Sequence, residues 1–245
     1  TYEKRLDMWE TVITSLSELR VWLNGNQGVL ALVLFAATVL SGWLSGIFSA
    51  LRQKPKFKIN IIDGPTFSCT YLTGNYHDGY QTHKTGLSLY LKVANVGSAP
   101  SSIEGVSVAY HWHLRRFSFL WLKYTIGWYW LKNPVVALDD FQTMVGENIK
   151  YFPFLMQRSS ISGEQAETFL PPGRSSNGIV YFEQDESFGG FMPSPDKGYV
   201  KVKVAVEDVH GKKHFKKFKI PAITIEEATK FNPSFGATLT ELNGE

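Results

Sequence analysis

His111 and His113 are two residues apart, so on a strand both imidazoles face one side, a spacing that can offer two nitrogen ligands to zinc. A third ligand would have to come from His77, Asp78 or His83, and nothing in the spacing fixes that approach. The preferred alternative is a pair of histidines at a polar strand edge. Glu183, Asp185 and Glu186 crowd the segment before Phe188-Gly189-Gly190, but carboxylates in a loop are usually solvated, and no partner for acid–base work is in view. The sequence holds no glycine-rich phosphate loop, G-x-S-x-G elbow or H-E-x-x-H pair. Cys69 lacks an activating context and reads as a small strand residue. These residues call for no catalytic group, no metal and no cofactor; an enzyme site on loops is kept only as an alternative.

Basic and aromatic residues make a stronger pattern. Residues 111–132 carry Trp112, Phe117, Phe119, Trp121, Tyr124, Trp128, Tyr129 and Trp130, with Arg115, Arg116, Lys123 and Lys132 between them. Trp and Tyr rings are apolar at one end and polar at the other, which suits a membrane interface, and basic side chains reach lipid phosphates. Membrane-interface contact is expected from Trp121, Tyr124, Trp128, Tyr129 and Trp130 with Arg115, Arg116 and Lys123. The alternative is that the rings fill a core or cover a sheet. Stacking on single-stranded nucleic acid would use the same residue types, but the net charge is only +3 and a nucleic-acid partner is not expected. Lys212, Lys213, Lys216, Lys217 and Lys219 form a second basic run. It could attract anionic groups, although lysines on an edge strand also block edge-to-edge pairing, and that second reading is preferred.

The elements that carry these residues begin with a long apolar run. Gly28 to Leu51 contains 24 residues and no charge. About 20 apolar residues at 1.5 Å each cross a hydrocarbon core of about 30 Å. A transmembrane helix is therefore expected over 27–51, followed by a basic linker at 52–55. That linker reaches about 14 Å at most when extended, which would hold the following domain near a bilayer. Arg52, Lys54, Lys56 and Lys58 follow the run, against Lys4, Arg5 and Arg20 before it, which favours the C-terminal side as cytoplasmic. Thr38, Gly42, Gly46 and Ala50 form one row of small residues, and Ser41, Ser45 and Ser49 form the next. Such rows let two helix backbones approach closely, so self-association through them is expected. Before the run, Leu6, Trp9, Val12, Ile13, Leu16, Leu19 and Leu23 recur at steps of three and four, giving an amphipathic helix within 1–26 that Asn24-Gly25-Asn26 ends. Its polar face is acidic, which favours contact with protein over anionic lipid.

From Lys56 the pattern changes to period two: Phe57, Ile59 and Ile61; Leu87, Leu89, Leu91 and Val93; Val106, Val108 and Tyr110; Val200, Val202, Val204 and Val206. Gly/Pro turns and a His210-Gly211 hairpin separate the strands. Without βαβ alternation, this reads as a mainly β, antiparallel sandwich over 56–225, with an aromatic-rich insertion at about 111–150 and a C-terminal tail at 226–245 that ends mobile. The composition agrees with a folded core that has apolar surface to spare: 44% hydrophobic, 14% aromatic and 19% charged residues, with one cysteine and so no intramolecular disulfide.

The stretch LSLYLKVANVGSAPSSIEGVSV resembles a phrase of immunoglobulin-like β-sandwich modules, in which a strand ends in Asn-x-Gly, a Pro loop crosses over and the next strand begins with Ile. LPPG, GIVYF and VKVAVEDVHGKKH are similar to the rest of such a module. The whole chain is similar to uncharacterised bacterial single-span membrane proteins carrying such a domain. The resemblance implies a binding or oligomerising role and no defined reaction. The expectation is a single-pass protein of the bacterial inner membrane, non-enzymatic and homo-oligomeric. Its cytosolic sandwich would sense or dock a protein partner. The alternative from another class is a membrane-disrupting effector of a bacterial defence system.

Overall fold

Helix α1 (Gln27–Leu44) carries no charge, and after Gln27 every residue is apolar or small, so its backbone polar groups are paired within the helix while its side chains present an apolar surface. The computed structural model describes residues 14–15, 17–18, 20–22, 24–47, 53–112, 117–119, 122, 128–156 and 167–237. The chain divides into two compact units, Thr1–Gln53 and Lys54–Glu245. In the first, the described residues from 14 to 25 are helical and Asn26 breaks the path with φ −124° and ψ 59°. The amphipathic stretch before Thr14 lies outside the described residues. No residue of α1 is buried, and it is long and apolar enough to cross a membrane.

The helix is shorter than the apolar run. Ser45 caps it through an N–H to the Ser41 carbonyl (2.9 Å), and Gly46 turns left-handed at φ 74°. Eighteen residues at 1.5 Å rise give about 27 Å. Within α1 the Thr38 hydroxyl donates to the Leu34 carbonyl at 2.7 Å, so this polar group is satisfied by its own helix. Thr38, Ser41 and Gly42 sit on the helix and Ser45 caps it. Gly46 lies beyond the cap, so the G-x-x-x-G spacing does not continue as a helical face; Ser49 and Ala50 lie outside the described residues.

The second unit is mainly β. Its strands are β1 (Phe57–Ile61), β2 (Phe67–His77), β3 (Tyr80–Asn95), β4 (Ser101–Tyr110), β5 (Tyr129–Leu131), β6 (Phe141–Val145), β7 (Asn148–Phe152), β8 (Phe169–Leu170), β9 (Ser175–Glu183), β10 (Ser187–Phe188), β11 (Tyr199–Asp208) and β12 (Lys213–Ile223), followed by a short helix α2 (Ile225–Ala228). Among the described residues, ten strands make one sheet in the order β1-β3-β2-β12-β11-β4-β5; β9 and β10 also pair with β3, β8 pairs with β4, and β6–β7 form a separate hairpin. The sheet is mixed rather than wholly antiparallel, because the end of β12 runs parallel to the start of β2 at Ala222↔Ser68 and Ile223↔Cys69.

Period-two patterning decides which side chains enter the core. Leu87, Leu89, Leu91 and Val93 of β3, Val180 and Phe182 of β9, and Phe57 and Ile59 of β1 share one hydrophobic cluster with Val106 and Val108 of β4, Val200 to Val206 (even positions) of β11 and Ile220 of β12. A second cluster lies on the opposite faces of β2, β3 and β9. There Phe67, Cys69, Tyr90, Ile179 and Tyr181 meet Phe141, Phe152 and Phe154 from the 132–156 segment and Phe235 from the C-terminal end. Part of the aromatic insertion is sheet and core, the alternative kept for it above: β5 pairs with β4, and Phe141 is buried. The tail after residue 225 starts as a short helical turn: Thr224 and Glu227 form a capping box on α2, Phe235 is buried, and the Asn232 amide donates to the Asp139 carbonyl at 2.9 Å; residues 238–245 lie outside the described residues.

Asn95 binds several loops together. Its Oδ1 accepts the N–H groups of Lys56 (3.3 Å) and Gly97 (3.0 Å), and its Nδ2 donates to the carbonyls of Ala99 and Leu170, both at 2.8 Å. Gly97 is needed because a Cβ there would stand 2.3 Å from the Lys54 carbonyl oxygen.

Candidate functional site

The outer face of β11 and β12 collects the basic run with part of the aromatic one. Antiparallel register places Lys201 opposite Lys219, Lys203 opposite Lys217, Ala205 opposite Phe215 and Glu207 opposite Lys213. Even-numbered β11 residues point into the core, so these odd-numbered residues share the other side. On β4, Ala109 lies opposite Lys203, and on β5, Trp130 lies opposite Ala109. The two alanines on this outer face are buried, Ala109 at 0% and Ala205 at 2% exposure, and their cross-strand partners are the large rings of Trp130 and Phe215. Trp130 meets Phe215 edge-on with centroids 6.0 Å apart. The Lys203 ammonium lies 4.5 Å from the Phe215 ring centre and 5.7 Å from that of Trp130. Lys217 lies 5.6 Å from the Trp128 ring, which itself packs on His111 at 4.0 Å. The ring faces are electron-rich and attract the ammonium groups.

The electrostatics of the face are one-sided. Among the described residues, Lys201, Lys203, Lys213, Lys217 and Lys219 meet a single acid on it, Glu207, which bridges Lys213 at 3.4 Å. Two successive cross-strand pairs are lysine against lysine, although like charges directly opposite on a sheet are destabilising. Nearby Asp208 does not neutralise them. It is fully buried and spends its oxygens on the N–H groups of His210 (3.0 Å) and Lys212 (3.1 Å) and on His214 Nε2 (2.9 Å). Burial pushes this carboxyl up, but those hydrogen bonds outweigh it and hold it below the ordinary range. His214 Nδ1 accepts the Phe57 N–H at 3.4 Å, which assigns the ring proton to Nε2.

The expected interface residues divide. Trp128 and Trp130 lie on the lysine face. Tyr129 faces the other way, packing on Tyr110 (5.5 Å) and Trp112 (4.3 Å) beside the core. Trp121, Tyr124, Arg115, Arg116 and Lys123 lie outside the described residues, as does His113. Lys201, Lys203 and Phe215 were not singled out in the sequence. The hairpin turn at His210-Gly211 would have found the lysines, since 201 and 219, and 203 and 217, are equidistant from His210.

The remaining candidates disperse. Among the described residues no three His, Cys, Asp or Glu side chains converge as a metal group. His77 sits 3.6 Å from Asp78, and His83 is buried on β3. Glu186 Oε1 accepts the hydroxyls of Thr73 and Thr82 and the Asn75 amide at 3.0 Å, which pulls its carboxyl down to about 2. The Glu183 carboxylate accepts the Tyr181 hydroxyl. Cys69 is buried, which pushes its thiol up to about 12, with Glu226 and Glu227 adding to the shift. An open groove of about 750 Å³ near β6 and α2 brings one charge of each sign, Glu227 and Lys230, so no strong field marks it.

No family model matches the chain, and no curated protein matches it. Among solved structures, the chain is similar to the crystal structure of the putative ApaA protein from Bordetella pertussis. Identity is 8% and the TM-score 0.26, over 69% of this chain and 96% of that one. It is also similar to the X-ray structure of a second Northeast Structural Genomics Consortium target, at 9% identity and TM-score 0.23 over 69% of this chain and 85% of that one.

Proposed function

We propose that this chain is a membrane-anchored, non-enzymatic binding protein. In this reading α1 crosses the bilayer of the bacterial inner membrane once, the β unit is an immunoglobulin-like sandwich on the cytoplasmic side, and it docks a partner while copies of the chain associate. The observation that carries it is α1 itself: 18 uncharged residues with none buried, which water would solvate poorly and lipid tails would solvate well. Three further features support it. Arg52, Lys54, Lys56 and Lys58 follow the apolar run and favour that side as cytoplasmic. The main hydrophobic cluster is shared between β1, β3, β9 and β4, β11, β12, as two packed layers require. Thr38, Ser41 and Gly42 give α1 a narrow face suited to close approach.

Alkaline carbonate washing of membranes from expressing cells tests the anchor. A spanning chain stays in the pellet, whereas release of the intact chain into the wash would overturn this function.

A further inference from the structure

We infer that the outer face of β11 and β12 docks against anionic phospholipid headgroups, with Trp128, Trp130 and Phe215 entering the headgroup layer and the lysines meeting lipid phosphates and carboxylates. The inference rests on the membrane-anchored reading and names the partner of the β unit's charged surface.

Edge protection accounts for the lysines of β12, which pairs with β2 only at Ala222 and Ile223, but not for Lys201 and Lys203. β11 is an interior strand, paired with β12 on one side and β4 on the other, yet it carries these two on the same side as Lys217 and Lys219. Lys201↔Lys219 and Lys203↔Lys217 are consecutive like-charge pairs, so the free fold bears a repulsion that an anionic partner would remove. Charge complementarity therefore calls for an anion, and the layout calls for an extended one. The charges spread across two strands rather than converging in a cavity, and the face is sheet, not cleft. The rings fit a lipid interface better than a base-stacking site. Trp130 already packs edge-on with Phe215 and has the Lys203 ammonium 5.7 Å from its ring centre, so its ring is engaged by this face rather than set out alone for a base. Phe215 is 52% exposed, an apolar ring among ammonium groups, which is the mix that an interfacial surface carries. Under the anchored reading the bilayer is also the surface this chain always meets.

The test uses the full chain in lipid nanodiscs, one set of phosphatidylcholine alone and one with roughly one lipid in three as phosphatidylserine. Brief labelling with an amine-reactive reagent, read by peptide mass spectrometry, reports each lysine. The expected result is labelling of Lys201, Lys203, Lys217 and Lys219 slowed roughly fivefold by phosphatidylserine and restored by high salt, with Lys92 and Lys150 unchanged. Equal labelling in both discs would overturn the inference and leave the anchor standing. A chain that fails to enter either disc overturns both. Protection of the same lysines in phosphatidylcholine discs by a single-stranded oligonucleotide, without protection by phosphatidylserine, would overturn the lipid assignment in favour of nucleic acid.

Discussion

Replacing Lys219 by Glu should make the fold more stable while weakening its hold on anionic lipid. In the wild type Lys201 and Lys219 are direct cross-strand partners. Opposed residues on an antiparallel pair have Cβ atoms about 5 Å apart. Flexible ammonium groups at an exposed site splay further, and at about 7 Å in water their repulsion is on the order of 0.5 kcal/mol. Lys219→Glu turns that repulsion into an attraction of similar size, so the net gain is about 1 kcal/mol. For a unit of this size that is a rise in Tm of about 2–4 °C. Lys219→Ala removes only the repulsion and should give about half the gain. The assay is thermal unfolding of the full chain in a non-ionic detergent, followed by circular dichroism at low and high salt. Salt should raise the wild-type Tm by screening the lysine pairs and should narrow its gap to Lys219→Glu. A Tm that falls in Lys219→Glu, or a gap insensitive to salt, would refute the claim that the paired lysines strain the free fold.

Asn95→Ala strands two amides and two carbonyls, of which the Leu170 carbonyl is the most deeply buried; the loss should be about 3–4 kcal/mol, measured by urea unfolding. Asp208 has a folded pKa below its unfolded value, so its contribution is complete above about pH 4 and is lost as the pH falls through the folded pKa. Asp208→Asn should therefore lower stability at pH 7 and flatten the acid limb of the stability curve, as read by unfolding at stepped pH. Cys69, buried and with its thiol pushed up, should react with a maleimide only as fast as the fold opens, so labelling should speed up in step with denaturant. Gly42→Leu should weaken self-association in a membrane two-hybrid assay by filling the narrow face of α1.

Strict alternation made the core strands legible. Val200, Val202, Val204 and Val206 announce β11 because each alternate residue is apolar and buried. β2 is legible only at its start: Phe67, Cys69 and Tyr71 alternate with Ser68 and Thr70, and Cys69 reads as a strand residue, but Gly74 and Asn75 break the pattern beyond them. The β6–β7 hairpin is hidden because Met144, Val145 and Ile149 are apolar but exposed, and only Phe141 and Phe152 face inward. Gly46 shows the limit at α1, since an uncharged run continues to Leu51 while the helix stops where one glycine turns left-handed. The lysine face was half visible. The basic run at 212–219 was plain, but Trp128 and Trp130 joined it only through the pairing of β5 with β4, a contact between segments far apart in sequence.

The central claim is that α1 is solvated by lipid. Sedimentation of the purified intact chain after complete removal of surfactant tests it most directly. The account predicts that the chain stays soluble only when lipid or detergent is supplied, and associates into large assemblies without them. A monodisperse monomer in plain buffer would contradict it.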